Sequence, residues 1–196
     1  MELWIGLGVA AVVVIFVISI YNRMVTSRNT MTNALKQIDV ILKQRHEMIP
    51  NLVETVKGYA SHERATLEEV IKARNNAESA RQKAGETNGA AAGMAALGQA
   101  EGLLGQALGK MFALSEAYPD LKAAQNFRDL QDQLVSIDTR VAASRRGYNN
   151  SVLDYNNTIQ IFPNNIVAGM FRFERGHELE FDDAAAIKEA PKVSFS

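Results

Sequence analysis

The sequence contains no cysteine. That excludes disulfides, thiolate nucleophiles and cysteine-ligated zinc, although it does not fix the redox compartment. Histidine and proline are scarce, with three and four copies. A histidine metal centre therefore has few residues to draw on, and few helix breaks are obligatory. Neither charge sign is in excess, the formal net charge being -1. Near-neutral chains lack the broad basic field that nucleic-acid binders present. The basic residues are spread without interleaved exposed aromatics, which argues against single-stranded nucleic acid as well. No stretch alternates polar and apolar residues as a surface strand does.

What is present is apolar residue at helical spacing. Hydrophobic residues make up 47% of the 196 positions, enough for one folded domain. The run "LWIGLGVAAVVVIFVISI", Leu3 to Ile20, carries no charge. As a helix it is about 27 Å long, close to the hydrocarbon thickness of a bilayer. Trp4 and Tyr21 bracket it as interfacial aromatics. Nothing basic precedes the run and no small-x-small site follows it, so an uncleaved anchor is expected over residues 1–21. Arg23, Arg28, Lys36, Lys43 and Arg45 follow the anchor, and the positive-inside rule puts the C-terminal domain in the cytoplasm.

After the anchor, apolar residues step by four and three through Met24, Met31, Leu35, Ile38, Leu42, Ile49, Leu52, Val56 and Tyr59. Arg28 and Arg45 fall on the same seam, where they turn their heads outward or pair across it. A 3.5-residue step held this long means helices packed lengthwise. Pro50 and Gly58 point to a bend or turn over residues 50–60. Leu67, Val70, Ala77 and Ala84 resume the step, "GETNGAAAG" (Gly85 to Gly93) reads as a connection, and Leu97 to Tyr118 form a third seam. Pro119 can open a further helix, whose seam runs through Phe127, Leu134, Val141 and Tyr148 to Ile159.

The expected fold is all-α: a transmembrane helix followed by an antiparallel four-helix bundle over residues 22–161. Its helices fall at about residues 21–58, 61–84, 94–117 and 119–160. A long kinked helical hairpin is the alternative. Residues 162–196 form an apolar-basic segment and a loose or extended C-terminal tail.

Motifs that imply chemistry fail on inspection. A zincin helix needs His-Glu-x-x-His, but Pro50 follows His46-Glu47 and Thr66 follows His62-Glu63 in the second ligand's place. Both histidines are read as surface or partly buried residues. Glu174-x-x-His177 is a lone half of a di-iron pattern that requires two. "GQALGKM" lacks the first glycine and the hydroxyl residue of a phosphate loop. No catalytic, cofactor or metal residues are assigned.

Two patterns remain. Gly98, Gly102, Gly105 and Gly109 lie along one strip of the third helix, each at a cost of up to about 1 kcal/mol relative to alanine. Such a strip permits close approach, either within the bundle or between subunits. Tyr148-Asn149-Asn150 recurs one heptad later as Tyr155-Asn156-Asn157, and is read as core polar ties in preference to a ligand site.

The blocks "RNTMTNALKQIDVILKQR", "IPNLVETVKGYASHE", "LSEAYPDLKAAQNFRDLQDQL", "RRGYNNSVLDYNNTI" and "FPNNIVAGMF" together resemble the LemA family of bacterial membrane-anchored proteins over residues 21–173. The resemblance implies a membrane helix, a helical bundle and no established enzymatic activity. It also implies genomic association with a membrane-bound zinc protease of the heat-shock type, and hence a place in envelope quality control.

The resulting expectation is a non-enzymatic, single-pass scaffold or adaptor at the bacterial cytoplasmic membrane. Its partners are the lipid bilayer, a second copy of itself, or the membrane protease. Candidate contacts are the glycine strip, the bend with His46, Glu54, Lys57, His62 and Glu63, and the segment with Phe162, Ile166, Met170, Phe171 and Phe173. Because an antiparallel bundle returns its last helix to the membrane, that segment can lie in the interface. The alternatives are an oligomeric membrane-shaping layer and a metal-dependent enzyme built on the bend histidines.

Overall fold

The computed structural model describes residues 1–181. Residues 182–196, most of the tail expected to be loose or extended, lie outside the described residues. Six helices follow in order: α1 (Glu2–Tyr59), α2 (Arg64–Glu86), α3 (Ala91–Ser115), α4 (Pro119–Ala123), α5 (Gln125–Gln160) and α6 (Asn164–Met170). The described residues contain no strand.

The anchor expected over residues 1–21 and the helix expected from about residue 21 adjoin directly. No break separates residues 21 and 22: the apolar run and the first bundle helix are one helix. Pro50 lies inside α1, as it does in the expected helix of residues 21–58, and the turn falls at residues 60–63 instead of over 50–60. Proline has no N–H for the carbonyl four residues back, and that carbonyl belongs to His46. Arg74 Nε of α2 donates to it at 3.0 Å. A guanidinium from a neighbouring helix thus replaces the missing backbone donor, and the helix runs on until Ala60. The later boundaries shift by a few residues, and the helix opened by Pro119 stops at once, because extended Ala124 separates α4 from α5.

The helices pair antiparallel: α1 packs mainly along α5 and also on α2, and α2 packs mainly along α3. All four long helices feed one core, through Ile49, Leu52 and Val56 (α1), Val70 and Ala77 (α2), Leu104 and Met111 (α3), and Phe127 and Leu134 (α5). Ala73 and Ala77 on the α2 seam are buried in this core. A second cluster joins Leu35, Ile38 and Leu42 to Val141, Tyr148 and Val152, and a third joins Ile20 and Met24 to Tyr155 and Ile159. The turn between α2 and α3 closes on Gly89, whose φ of 79° is left-handed. A side chain there would press on the Tyr148 hydroxyl and Leu35, so glycine is required twice over.

Seam positions are buried throughout α2 and over most of α1, α3 and α5, with Tyr59 an exception at 49% exposure. The first turns of α1 are the opposite: Trp4, Leu7, Val12, Ile15 and Phe16 are all exposed. Among the described residues this is the one helix long and apolar enough to cross a membrane. A stretch of helix that is greasy on every side, with nothing packed against it before Val17, suits lipid.

Candidate functional site

The chemically richest place is inside the domain, midway along α1. Arg45 enters the core between α3 and α5. Its Nη1 donates to Glu101 Oε2 at 2.7 Å, and its Nε lies 2.8 Å from Asp138 Oδ1. That second contact is an ion pair by distance, but the N–H is not aimed at the oxygen. His46 follows, with no exposed surface. Its Nε2 is 2.6 Å from Glu101 Oε1 and its Nδ1 is 2.9 Å from Glu78 Oε2. Glu78 is held in turn by Arg81, whose Nε and Nη2 donate at 3.0 and 2.8 Å, and by Gln82 at 2.9 Å. Arg81 closes the chain on Asp39. The result is an alternating string of acids and bases crossing from α5 through α1 and α3 to α2.

The electrostatics follow from this order. Hydrogen bonds from Arg81 hold the Glu78 carboxyl well below the usual carboxylate range, with help from His46 and Gln82 and against its burial. The same contact raises Arg81 further above its already high value. Burial pushes Asp138 up, the Arg45 charge opposes this, and Glu101 adds to it. Both nitrogens of His46 face carboxylate oxygens, so a ring protonated on both satisfies both contacts, while a neutral ring can donate to only one.

This cluster corrects the reading of His46 as a surface or partly buried group. The Arg45 head is also buried and paired across the seam, one of the two outcomes its position allowed. His62 is exposed at the far end of α1 and does not meet His46. Among the described residues, no group of three or more His, Asp or Glu side chains is arranged to hold a metal ion. Both imidazole nitrogens of His46 are engaged, and Glu101 is 1% exposed. The centre of the cluster, Arg45, His46 and Glu101, is closed to solvent, while Asp39 and Asp138 at its two ends reach the surface. Sequence reasoning does not single out Glu78, Arg81, Glu101 and Asp138. One signal is there: Glu101 and Lys110 are the only charged residues of α3, and a lone carboxylate on a small-residue helix needs a partner.

A second built feature is a strap formed by residues 171–181. Tyr155 Oη donates to the Glu174 carbonyl at 2.8 Å, and the Asn156 amide both donates to the Gly176 carbonyl and accepts from its N–H, at 3.0 and 2.9 Å. One heptad earlier the pattern repeats. Tyr148 Oη donates to the His177 carbonyl at 2.8 Å, and Asn149 pairs with both backbone groups of Leu179 at 3.2 and 2.9 Å. Seven helical residues rise about 10.5 Å and three extended residues span about 10 Å, so the two repeats match. The tyrosine–asparagine pairs are polar ties, and what they tie is the backbone of the strap. Leu179 is fully buried in the core, and Arg145 stacks on Phe181 with its guanidinium 4.4 Å from the ring centroid.

The glycine strip divides. Gly98 is buried, and a Cβ there would collide with the Glu180 carbonyl of the strap. A Cβ added at Gly105 or Gly109 would meet nothing within 4 Å, and Gly102 is half-buried. At the far end, Glu54 and Lys57 are exposed and paired at 3.1 Å, and Glu63 accepts from the Tyr118 hydroxyl at 3.0 Å. Beside them α1 and α2 form a surface groove of about 650 Å³, lined by Val53, Glu54, Lys57, Leu67 and Ile71 among others. At the end beside the apolar run, Phe162, Ile166, Met170 and Phe171 are exposed, while Phe173 is half-buried against the third cluster. Trp4 is exposed, and Tyr21 meets the rings of Phe171 and Phe173.

The LemA family profile matches residues 34–195. Magnetosome protein MamQ of Magnetospirillum gryphiswaldense is 28% identical over 188 residues, covering 85% of this chain and 68% of its own. Magnetosome protein MamQ 2 of Paramagnetospirillum magneticum is 26% identical over 170 residues, covering 79% of this chain and 62% of its own. The chain thus spans about two thirds of the length of these relatives.

Proposed function

The chain belongs to the LemA family, and from that premise we propose that it is a non-enzymatic, single-pass membrane scaffold that presents a helical domain to a membrane partner. The observation that carries this reading is the continuity of α1. One helix leaves the apolar run and becomes the central strut of the domain. From Tyr21 to Tyr59 it rises about 57 Å. The turn at residues 60–63, with Glu54, Lys57, His62 and Glu63 around it, stands at that distance from the bilayer. The centre of the polar cluster, with His46 and Glu101, is closed to solvent, which supports gripping over reacting. The relatives are named for a cell structure, the magnetosome, and not for a reaction, which supports the same choice.

The partner is another membrane protein or a second copy of the chain. The family resemblance favours a membrane-bound zinc protease, and the open Gly105–Gly109 stretch of α3 favours self-association. The localisation that goes with this is the bacterial inner membrane, with the domain on the cytoplasmic side. A sidedness reporter fused after Ser196, combined with purification from crosslinked cells, tests it. The expected result is a cytoplasmic reporter and a discrete copurifying membrane protein, or a defined oligomer. A strict monomer that copurifies with nothing, or purified protein that turns over a substrate, overturns it.

A further inference from the structure

From the packing of α6 we infer that this short helix is a second membrane contact: a foot that sits in the headgroup and upper acyl layer of the bilayer that α1 enters. The inference rests on α1 being membrane-spanning and adds a site to that reading.

Three observations carry it. The first is position. Val167 and Ala168 of α6 are buried against Ile20 and Met24, and Val17 packs on the same cluster. Val17 and Ile20 belong to the uncharged run itself. With that run in hydrocarbon, the part of α6 that covers its last turn cannot stand clear of the interface.

The second is exposure. Ile161, Phe162, Ile166, Met170 and Phe171 are 59%, 76%, 55%, 71% and 50% exposed. Outside the apolar run, the other large exposed apolar side chains, such as Val40, Leu103, Val135 and Leu153, are scattered singly. Single exposed residues need no explanation, whereas a grouped patch marks a surface that something covers.

The third is charge and aromatic content. Between Tyr155 and Phe173 the only charged residue is Arg172. Arg172 is exposed beside Phe171, and Arg23 is exposed on α1 one turn past Ile20. The Tyr21 ring sits 4.8 Å from Phe171 and 5.6 Å from Phe173. Apolar side chains flanked by tyrosine and arginine, with no carboxylate among them, match the layer where acyl chains meet anionic headgroups. A protein partner needs no such correspondence with the depth of the apolar run. Two attachments, α1 and α6, would stop the domain from rotating about α1 and so fix which face looks along the membrane.

The absence of cysteine makes a direct test simple. Single cysteines at Val12, Ile166, Met170 and Asp120 are labelled with an environment-sensitive dye. The full chain is then placed in vesicles of phosphatidylcholine with a minority of phosphatidylglycerol. The expected result is blue-shifted emission at 166 and 170, and quenching there of at least about twofold by lipid brominated near the headgroup end of the acyl chain. Asp120, at the far end, remains unquenched, and Val12 is quenched most by lipid brominated near the tail. Quenching at Val12 with 166 and 170 behaving like 120 refutes the foot and leaves the anchor standing. Unquenched 166 and 170 that crosslink between copies assign the patch to self-association, which also refutes it. No quenching at Val12 removes the anchor and the foot together.

Discussion

Replacing Glu101 tests the buried cluster at its centre. Glu101 accepts from Arg45 at 2.7 Å and contacts His46 at 2.6 Å, and its own side chain has no exposed surface. Glu101→Leu leaves the Arg45 head with Asp138 alone, in a contact whose N–H is poorly aimed, and leaves one His46 nitrogen facing an alkyl group. Breaking a buried pair by removing one partner costs about 3–5 kcal/mol. Typical domains are stable by about 5–15 kcal/mol in total. At about 2–4 °C per kcal/mol for a chain of this size, the melting temperature should fall by about 6–20 °C. Circular dichroism of the full chain in detergent, following helix loss, reads this directly. Arg45→Met combined with Glu101→Leu should recover part of the loss, because no unpaired arginine then remains in the core. A single variant within about 0.5 kcal/mol of the parent, or a double variant that simply adds the two losses, would refute the account of the cluster.

Asn149→Ala with Asn156→Ala removes the bonds that hold Gly176 and Leu179. Exchange of those two amides should accelerate by about 10-fold or more per site, measured by hydrogen exchange, at about 1.4 kcal/mol per tenfold. Gly98→Val should dislodge the strap because Glu180 crosses it, whereas Gly105→Ala, with open space around it, should be neutral or stabilise by up to about 1 kcal/mol in chemical denaturation. Glu78 has a depressed folded-state pKa, so its contribution is present above the unfolded value of 4.5 and is lost as pH falls toward the folded one. Glu78→Gln should therefore flatten the acid limb of a stability–pH curve. Burial pushes the Tyr148 hydroxyl from 10.0 up to about 12, so its contribution is full below pH 10.0 and is lost as pH rises to about 12, and Tyr148→Phe should remove that alkaline step.

The helical architecture is legible in the sequence because burial is periodic. Leu35, Ile38, Leu42, Ile49 and Leu52 sit at four-three spacing and all face the core. Pro50 misleads because its remedy is not local: the donor that serves the freed His46 carbonyl is Arg74, on another helix. The same holds for the cluster, whose members come from four helices and are adjacent only after folding. The tyrosine–asparagine repeat announces polar ties, but its partner is backbone, which carries no side-chain signature. The expectation that no stretch alternates fails at the strap, where Phe173, Leu179 and Phe181 fall on alternate positions and turn inward while Glu174, Glu178 and Glu180 are exposed, but side chains of α5, and not a neighbouring strand, hold its backbone. Gly98 and Gly109 look alike in the sequence and differ only in what passes over them.

On this reading α1 is one rod, carrying surfaces for binding from the bilayer to a fixed height. Pulsed electron spin resonance between spin labels on cysteines at Asn22 and Gly58, in the full chain in vesicles, measures the length of that rod. A continuous helix predicts one narrow distance near 54 Å, about 1.5 Å for each residue between the sites. A broad or bimodal distribution, or a distance below about 45 Å, would mean that α1 breaks at Pro50 and that the far surfaces are not held by a rigid strut.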